Sequence, residues 1–244
     1  MSVIHRHYPH RIRLSIGVSG HRVPPKLPTE AEPQLRALLD RIFAAIGDAV
    51  SKVESDRAAA LPAGGSADLA SELVIVSSLA EGADRLVAQA GVAAGFALEV
   101  VLPLARAEYT RDFVTQASRA EFDYLLGRAA AIVELDGAPD ERPRAYEAAG
   151  LFMLSRIDLL IALWDGLEAA GVGGTAQIVS RAIADGIFVV WIEPTNPNVI
   201  KVSRCAADGE RSANVNARPK ESFRSADVAT VARVAKKIVT LPTQ

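Results

Sequence analysis

The run Leu159-Leu160-Ile161-Ala162-Leu163-Trp164, opened by Asp158 and closed by Asp165-Gly166, decides the fold. It is the most hydrophobic strand candidate in the chain. A continuous apolar run of this length fits a strand covered on both faces, because a half-buried strand alternates polar and apolar residues. Similar short runs lie on either side of it. Strands are predicted over Ile12 to Val18, Leu73 to Ser77, Leu98 to Leu102 (stopped by Pro103), Ala131 to Leu135 and Ile187 to Ile192. Helical spacing separates them. It covers residues 30–53 (Leu35, Leu38, Leu39, Ile42, Phe43, Ile46), then 83–94, 107–128, 142–156 and 175–184. Apolar strands alternating with helices imply a doubly wound, mostly parallel α/β sheet with helices on both faces, Rossmann-like, of about five to seven strands.

Residues 61–70 read as a Pro/Gly/Ser/Ala loop. After Glu193 the pattern weakens. Residues 194–225 are expected to form an irregular excursion with one brief apolar patch, Val199 to Val202, before a C-terminal helix over 226–239. The organisation is a single domain over 1–244 with its core at about 12–193.

Composition narrows the function. The chain has 244 residues, half of them apolar, so a sizeable core is available. Lys plus Arg is 27 and Asp plus Glu is 29, a net charge of -2, and only 5% is aromatic. That balance argues against a non-specific nucleic-acid binder and a polybasic membrane-surface protein. Every apolar run is far shorter than the roughly 18 residues of a membrane span. A cytoplasmic protein is expected. The lone Cys205 forms no internal disulfide, and with no histidine near it in the irregular stretch it is not expected to act as a nucleophile. His5, His7 and His10 lie in a polar N-terminal stretch without a carboxylate pattern, so no metal site is expected.

In an open parallel sheet, ligands sit beyond the carboxyl ends of the strands. The first candidate loop is Gly17-Val18-Ser19-Gly20-His21-Arg22. Its small residues allow close approach, and Arg22 offers a planar fork for phosphate or carboxylate. The second is Ser77-Ser78-Leu79-Ala80-Glu81-Gly82-Ala83-Asp84-Arg85. Gly82 opens a helix whose amides favour an anion; of Glu81 and Asp84, one suits a helix cap and the other a ribose hydroxyl. The third is Trp164-Asp165-Gly166 followed by Gly171-Val172-Gly173-Gly174-Thr175, glycines leading into a helix as in a phosphate cradle. It matches Gly-x-Gly-x-x-Ala, but no Gly-Lys-Ser/Thr follows, and the glycines stand away from their strand.

Together these loops resemble the SLOG superfamily, Rossmann-like domains related to LOG proteins and to the N-terminal ligand-binding region of TRPM channels. The resemblance is carried by Ile16 to Arg22, Ser78 to Leu86, Leu102-Pro103-Leu104, Asp158 to Gly166 and Gly173-Gly174-Thr175, and spans about residues 12–193. It implies a domain that binds a nucleotide or an ADP-ribose-like derivative, as a sensor or signalling module. The nucleotide-binding set would be Gly17, Ser19, Gly20, His21, Arg22, Ser78, Leu79, Glu81, Gly82, Asp84, Pro103, Trp164, Asp165, Gly166, Gly173, Gly174 and Thr175. Tyr146 and Arg144 are weaker candidates.

LOG proteins cleave a nucleoside monophosphate, using a glutamate after their glycine motif. Gln177 stands near that place here, and a glutamine cannot act as a carboxylate does. No catalytic residue is therefore assigned; Glu81 takes the role only in a hydrolase alternative. A nicotinamide-dependent oxidoreductase is the second alternative. The expected partner is a small-molecule nucleotide, with no required cofactor, no nucleic acid and no membrane. A homo-oligomer and a fused or associated effector domain are also expected.

Overall fold

The structure is a computed structural model that describes residues 12–22, 26–60, 70–167, 173–203 and 222–240. His5, His7, His10, Cys205 and most of the loop expected at 61–70 fall outside these residues.

Eight strands form one sheet in the order β4-β3-β2-β1-β5-β6-β7-β8. They are β1 (Arg13–Gly20), β2 (Glu72–Ser77), β3 (Ala97–Leu102), β4 (Ala131–Glu134), β5 (Leu159–Leu163), β6 (Phe188–Ile192), β7 (Ile200–Ser203) and β8 (Phe223–Ala226). The first six pair in parallel; β7 and β8 add an antiparallel edge. The helices are α1 (Glu32–Ala59), α2 (Ala83–Ala93), α3 (Arg106–Tyr109), α4 (Gln116–Leu126), α5 (Arg142–Leu154), α6 (Thr175–Ala184) and α7 (Val228–Thr240). The doubly wound α/β expectation therefore holds.

Two apolar layers cover the sheet. One face packs against α1, α2, α4 and α7 through Leu35, Ile42, Phe43, Val87, Phe122 and Val231. The other packs against α5 and α6 through Ala149, Met153, Ile178 and Val179. Every residue of β5 is fully buried, which is why its sequence shows no alternation. Truncating Leu160 to alanine in such a layer costs about 2–5 kcal/mol.

Three expectations change. The sheet has eight strands rather than five to seven, because β7 and β8 extend its edge. The helix expected over 107–128 is broken. α3 and a 3-10 turn at Thr110–Asp112 end at Phe113, and α4 starts afresh after Thr115, whose Oγ1 accepts from the Ser118 amide. Phe113 is fully buried against Tyr109 and Phe122, so packing of that ring overrides helical propensity. The excursion expected over 194–225 contains β7 and the first residues of β8. The apolar patch Val199 to Val202 supplies β7, whose Val202 pairs with Val190.

The chain leaves β1 in one direction to build β2, β3 and β4, then returns through α5 to place β5 on the other side of β1. The β1/β5 pair is therefore the topological switch point, where the loops after neighbouring strands part and leave a crevice.

Candidate functional site

A cleft of about 370 Å³ opens at the carboxyl ends of β1 and β5. The end of β1 supplies Ser19 and Gly20, and the segment after it supplies His21, Arg22 and Lys26. The loop after β2 supplies Ser78 and Ala80, α2 supplies Asp84, and Pro103 follows β3. Trp164 and Leu167 follow β5, and Gly173, Gly174, Thr175 and Ala176 open α6. Tyr109 and Tyr146 close one side, with Met153 and Ile178 below.

His21 ties three elements together. Its backbone N–H donates to Leu163 O at 3.0 Å, and its carbonyl accepts from Ala83 N at 3.1 Å. Gly20 sits so close to α2 that a Cβ there would meet that of Ala83 and lie 2.8 Å from Leu163 O. That approach requires glycine. The His21 ring then anchors the loop after β5 through Asp165, whose Oδ1 also accepts from Leu167 N at 2.9 Å and whose Oδ2 lies 3.4 Å from Lys26 Nζ. Burial lowers the His21 pKa and outweighs the carboxylate beside it, so the ring is neutral at neutral pH.

Arg22 lies with its guanidinium 5.2 Å from the centre of the Tyr146 ring. Among the described residues it forms no ion pair. Tyr146 in turn donates to Asp112, which also holds Arg142 at 2.6 Å. Asp112 is thus held by Arg142 and Tyr146, and the other carboxylate acting on Arg22 is that of Asp84, which lines the same cleft without forming an ion pair with it.

Gly173 has φ +80, and a Cβ there would stand 2.8 Å from Pro143 O and 3.1 Å from Glu147 N. Only glycine fits between α5 and the start of α6. Its N–H donates to Gln177 Oε1 at 2.8 Å, and Gln177 Nε2 donates to Glu147. Gln177 is therefore a cap that locks the loop onto α5. The N-cap Gly174 carries no side-chain cap. Among the described residues, the amides of Gly174, Thr175 and Ala176 have no hydrogen-bond acceptor, and all three residues line the cleft. Unpaired amides at a helix start form an anion-binding surface.

The second loop behaves differently. Asp84 is 8% exposed and accepts from Ala80 N at 3.3 Å. Burial pushes its carboxyl up to about 6, against the backbone amides of Ala80 and Ser78 and the charges of Arg22 and Arg85. The start of α2 is thus filled from within: Ala83 N is taken by His21 O, and the Asp84 carboxylate occupies the loop.

The sequence-derived set divides accordingly. Ser19, Gly20, His21, Arg22, Ser78, Asp84, Pro103, Trp164, Gly173, Gly174 and Thr175 line the cleft. Gly17 lies inside β1 against Ile157 and Met153. Leu79 is fully buried at φ 55, held by Ser77 Oγ and Arg85 Nε. Glu81 accepts from Ser118 on α4, and Gly82 is the α2 N-cap at φ 86; neither lines the cleft. Asp165 and Gly166 stand outside the lining, Asp165 acting through His21 and Lys26. Arg144 pairs with Glu141 at the surface, away from the cleft, whereas Tyr146 forms its wall.

Sequence reading missed Lys26, Tyr109, Met153 and Ile178. Tyr109 carried no loop signal because it sat inside an expected continuous helix. Among the described residues there is no group of acidic, histidine or cysteine side chains that could hold a metal, and no helix long and apolar enough to cross a membrane.

No family model and no curated protein matches the chain. Solved structures do, two of which are as follows. One is DNA processing protein A from Streptococcus pneumoniae, at 16% identity and TM-score 0.46, with 73% of this chain covering 50% of that one. The other is DNA processing protein A from Helicobacter pylori, described by its single-stranded DNA binding mode, at 14% identity and TM-score 0.45, with 75% of this chain covering 70% of that one. This chain thus spans half the length of the first. The expectation of an ADP-ribose-like nucleotide sensor or signalling module with no nucleic-acid partner is corrected by these matches to DNA processing proteins. The chain is similar to these proteins in having a Rossmann-like α/β fold.

Proposed function

We propose that the cleft at the β1/β5 switch point binds phosphate groups, and that their source is a single nucleic-acid strand lying across the open rim. One observation carries this reading. The unpaired amides of Gly174, Thr175 and Ala176 and the guanidinium of Arg22 line the same cleft on either side of Tyr146, with no carboxylate paired to Arg22 among the described residues. Amides at a helix start and a planar guanidinium are the two donors best suited to a phosphate oxygen. Lys26 adds a third positive group at the rim, shared with Asp165. The cleft is open to solvent rather than sealed, which leaves a passing strand access to it.

The reading treats residues 1–244 as one domain of SLOG type in the cytoplasm, needing no cofactor. It does not require the whole surface to be basic, so a net charge of -2 is compatible with one local site.

The experiment is an anisotropy titration with a fluorescein-labelled single-stranded oligodeoxynucleotide, with inorganic phosphate as competitor. Saturable binding that phosphate displaces and that Arg22→Gln weakens about tenfold supports the reading, since one charge-assisted contact is worth about 1.5–3 kcal/mol. Absence of saturable oligonucleotide binding would reject the strand. Oligonucleotide binding untouched by Arg22→Gln would place the strand elsewhere.

A further inference from the structure

One acid shares the switch-point cleft with the phosphate donors. Asp84 stands in the first turn of α2, is 8% exposed, and lines the cleft together with Arg22, Ser78 and Tyr109. Its Oδ2 accepts from Ala80 N at 3.3 Å, and the Ser78 amide also bonds the carboxylate. Among the described residues it forms no ion pair. The carboxyl group is thus held by its own loop, at the wall of a space read above as taking an anion.

Each element packed around Asp84 brings a charged or titratable group. Arg22, from the segment after β1, and Arg85, beside Asp84 on α2, both favour its ionised form. Arg85 is otherwise engaged: Nε donates to Leu79 O at 3.0 Å, and Nη1 reaches Ser118 Oγ and Glu121 Oε2 of α4, each at 2.9 Å. Arg22 lies against Tyr146 of α5. Tyr109, from α3, faces the same carboxyl group, and burial pushes its phenol up, so it stays protonated. His21 and Lys26 hold Asp165 in the loop after β5. Burial outweighs the favourable partners and raises the Asp84 carboxyl to about 6.

A phosphodiester is a strong acid and keeps its negative charge throughout this range. Beside an ionised carboxylate in a partly buried cleft it is repelled, with less screening than at a surface. Two acids that share a site do not both stay ionised, and the weaker one takes the proton. The weaker acid here is Asp84. Once neutral, its carboxyl can donate its O–H to a phosphate oxygen.

We infer that Asp84 sets the affinity of this cleft for phosphate: filling it with a phosphodiester is coupled to uptake of one proton from solvent by the Asp84 carboxylate, which leaves the Arg22 guanidinium wholly to the ligand. No bond of the strand is made or broken. This rests on the phosphate reading of the cleft and names the residue that regulates it.

The test is isothermal titration with oligothymidylate lacking terminal phosphates, from pH 5.5 to 8, where neither thymine nor phosphodiester titrates. Wild-type affinity should fall several-fold per pH unit above 6, toward the tenfold limit for one proton. Asp84→Asn should lack that slope and bind at least tenfold tighter than the wild type at pH 8. Titrations at pH 7 in buffers of different ionisation enthalpy count the proton directly. Net uptake should appear in the wild type, persist in His21→Gln and vanish in Asp84→Asn. The first two proteins decide the matter even where Asp84→Asn folds poorly. Equal slopes in the wild type and Asp84→Asn, no net uptake in the wild type, or uptake lost in His21→Gln would overturn the coupling while leaving the strand reading intact. Absence of wild-type binding at every pH is a separate outcome, which removes the strand reading and the coupling together.

Discussion

The imidazole Nε2 of His21 stands 3.0 Å from the backbone nitrogen of Asp165 and also 3.0 Å from its Oδ1. One nitrogen thus faces a donor and an acceptor of the same residue. Neutral, it accepts the amide proton; protonated, it must give up the amide and donate to the carboxylate. The loop after β5 hangs on this contact, so its anchoring depends on the proton.

The first prediction follows from that contact. The folded pKa of His21 lies below its ordinary value of 6.5, chiefly through burial. A neutral ring buried in the fold stabilises it fully above the unfolded pKa. That contribution is lost as pH falls below 6.5, because the unfolded chain takes up the proton more readily. His21→Gln keeps an acceptor for the amide without titrating. Thermal melts from pH 5 to 8 should show the wild type losing stability toward pH 5 relative to His21→Gln. Parallel curves would mean that the ring is not held neutral.

Asp84 has the opposite sign. Burial raises its carboxyl from 3.8 to about 6. An acid whose folded pKa is raised is a burden once ionised. Stability therefore falls as pH rises from about 4 through 6, by on the order of 3 kcal/mol for a shift of this size. Asp84→Asn removes the charge and keeps an acceptor for Ala80 N. It should raise the melting temperature by several degrees at pH 7.5 and by little at pH 4. Destabilisation at pH 7.5 would show that the charge itself, through the amides of Ala80 and Ser78, holds the loop.

Gly173 and Gly174 separate folding from binding. Gly173→Ala forces a Cβ against Pro143 O at φ +80, and should cost about 1–3 kcal/mol with loss of the α6 start. Gly174 is in an ordinary extended conformation at φ -78 and ψ 159. Gly174→Ser supplies the missing cap and should stabilise by a few tenths of a kcal/mol. The same hydroxyl would take an amide needed by phosphate, so oligonucleotide binding should weaken while the melt rises. A melt and a titration on each variant decide it.

The alternation of strands and helices was legible because parallel strands are apolar throughout, as β5 is, and α6 began at Thr175 where the glycines ended. The cleft's glycine-rich rims were legible for the same reason: close backbone approach leaves a residue signature. Partners set by tertiary contact were not. Nothing local marked Glu81 as turned toward Ser118, or Leu79 as a buried residue in a left-handed conformation held by Arg85. Tyr109 reached the cleft only because Phe113 ended the helix beneath it. Gln177 was noticed as a missing carboxylate; its work as a cap from Gly173 to Glu147 depends on how α5 meets α6. Strand β8 left no apolar run because it is the edge strand and buries only Phe223.

The last prediction concerns salt, which distinguishes a phosphate contact from a packing contact. A protein that neutralises phosphates on a single strand releases condensed counterions. Log affinity then falls with log salt at about 0.7 per phosphate contacted. Arg22 is the cleft cation without an ion pair among the described residues, whereas Lys26 is shared with Asp165 at 3.4 Å. Arg22→Gln should therefore reduce the slope by about 0.7 and weaken binding most at low salt, with the wild-type and variant lines converging as salt rises. Lys26→Gln should change the slope less, because Asp165 already offsets part of its charge. Arg22→Lys should restore the slope but not the full affinity, since an ammonium keeps the charge and loses the planar fork over Tyr146. Anisotropy titrations of a single-stranded oligodeoxynucleotide at four salt concentrations give all three slopes. If Arg22→Gln lowers affinity by the same factor at every salt concentration, Arg22 shapes the Tyr146 wall and touches no phosphate.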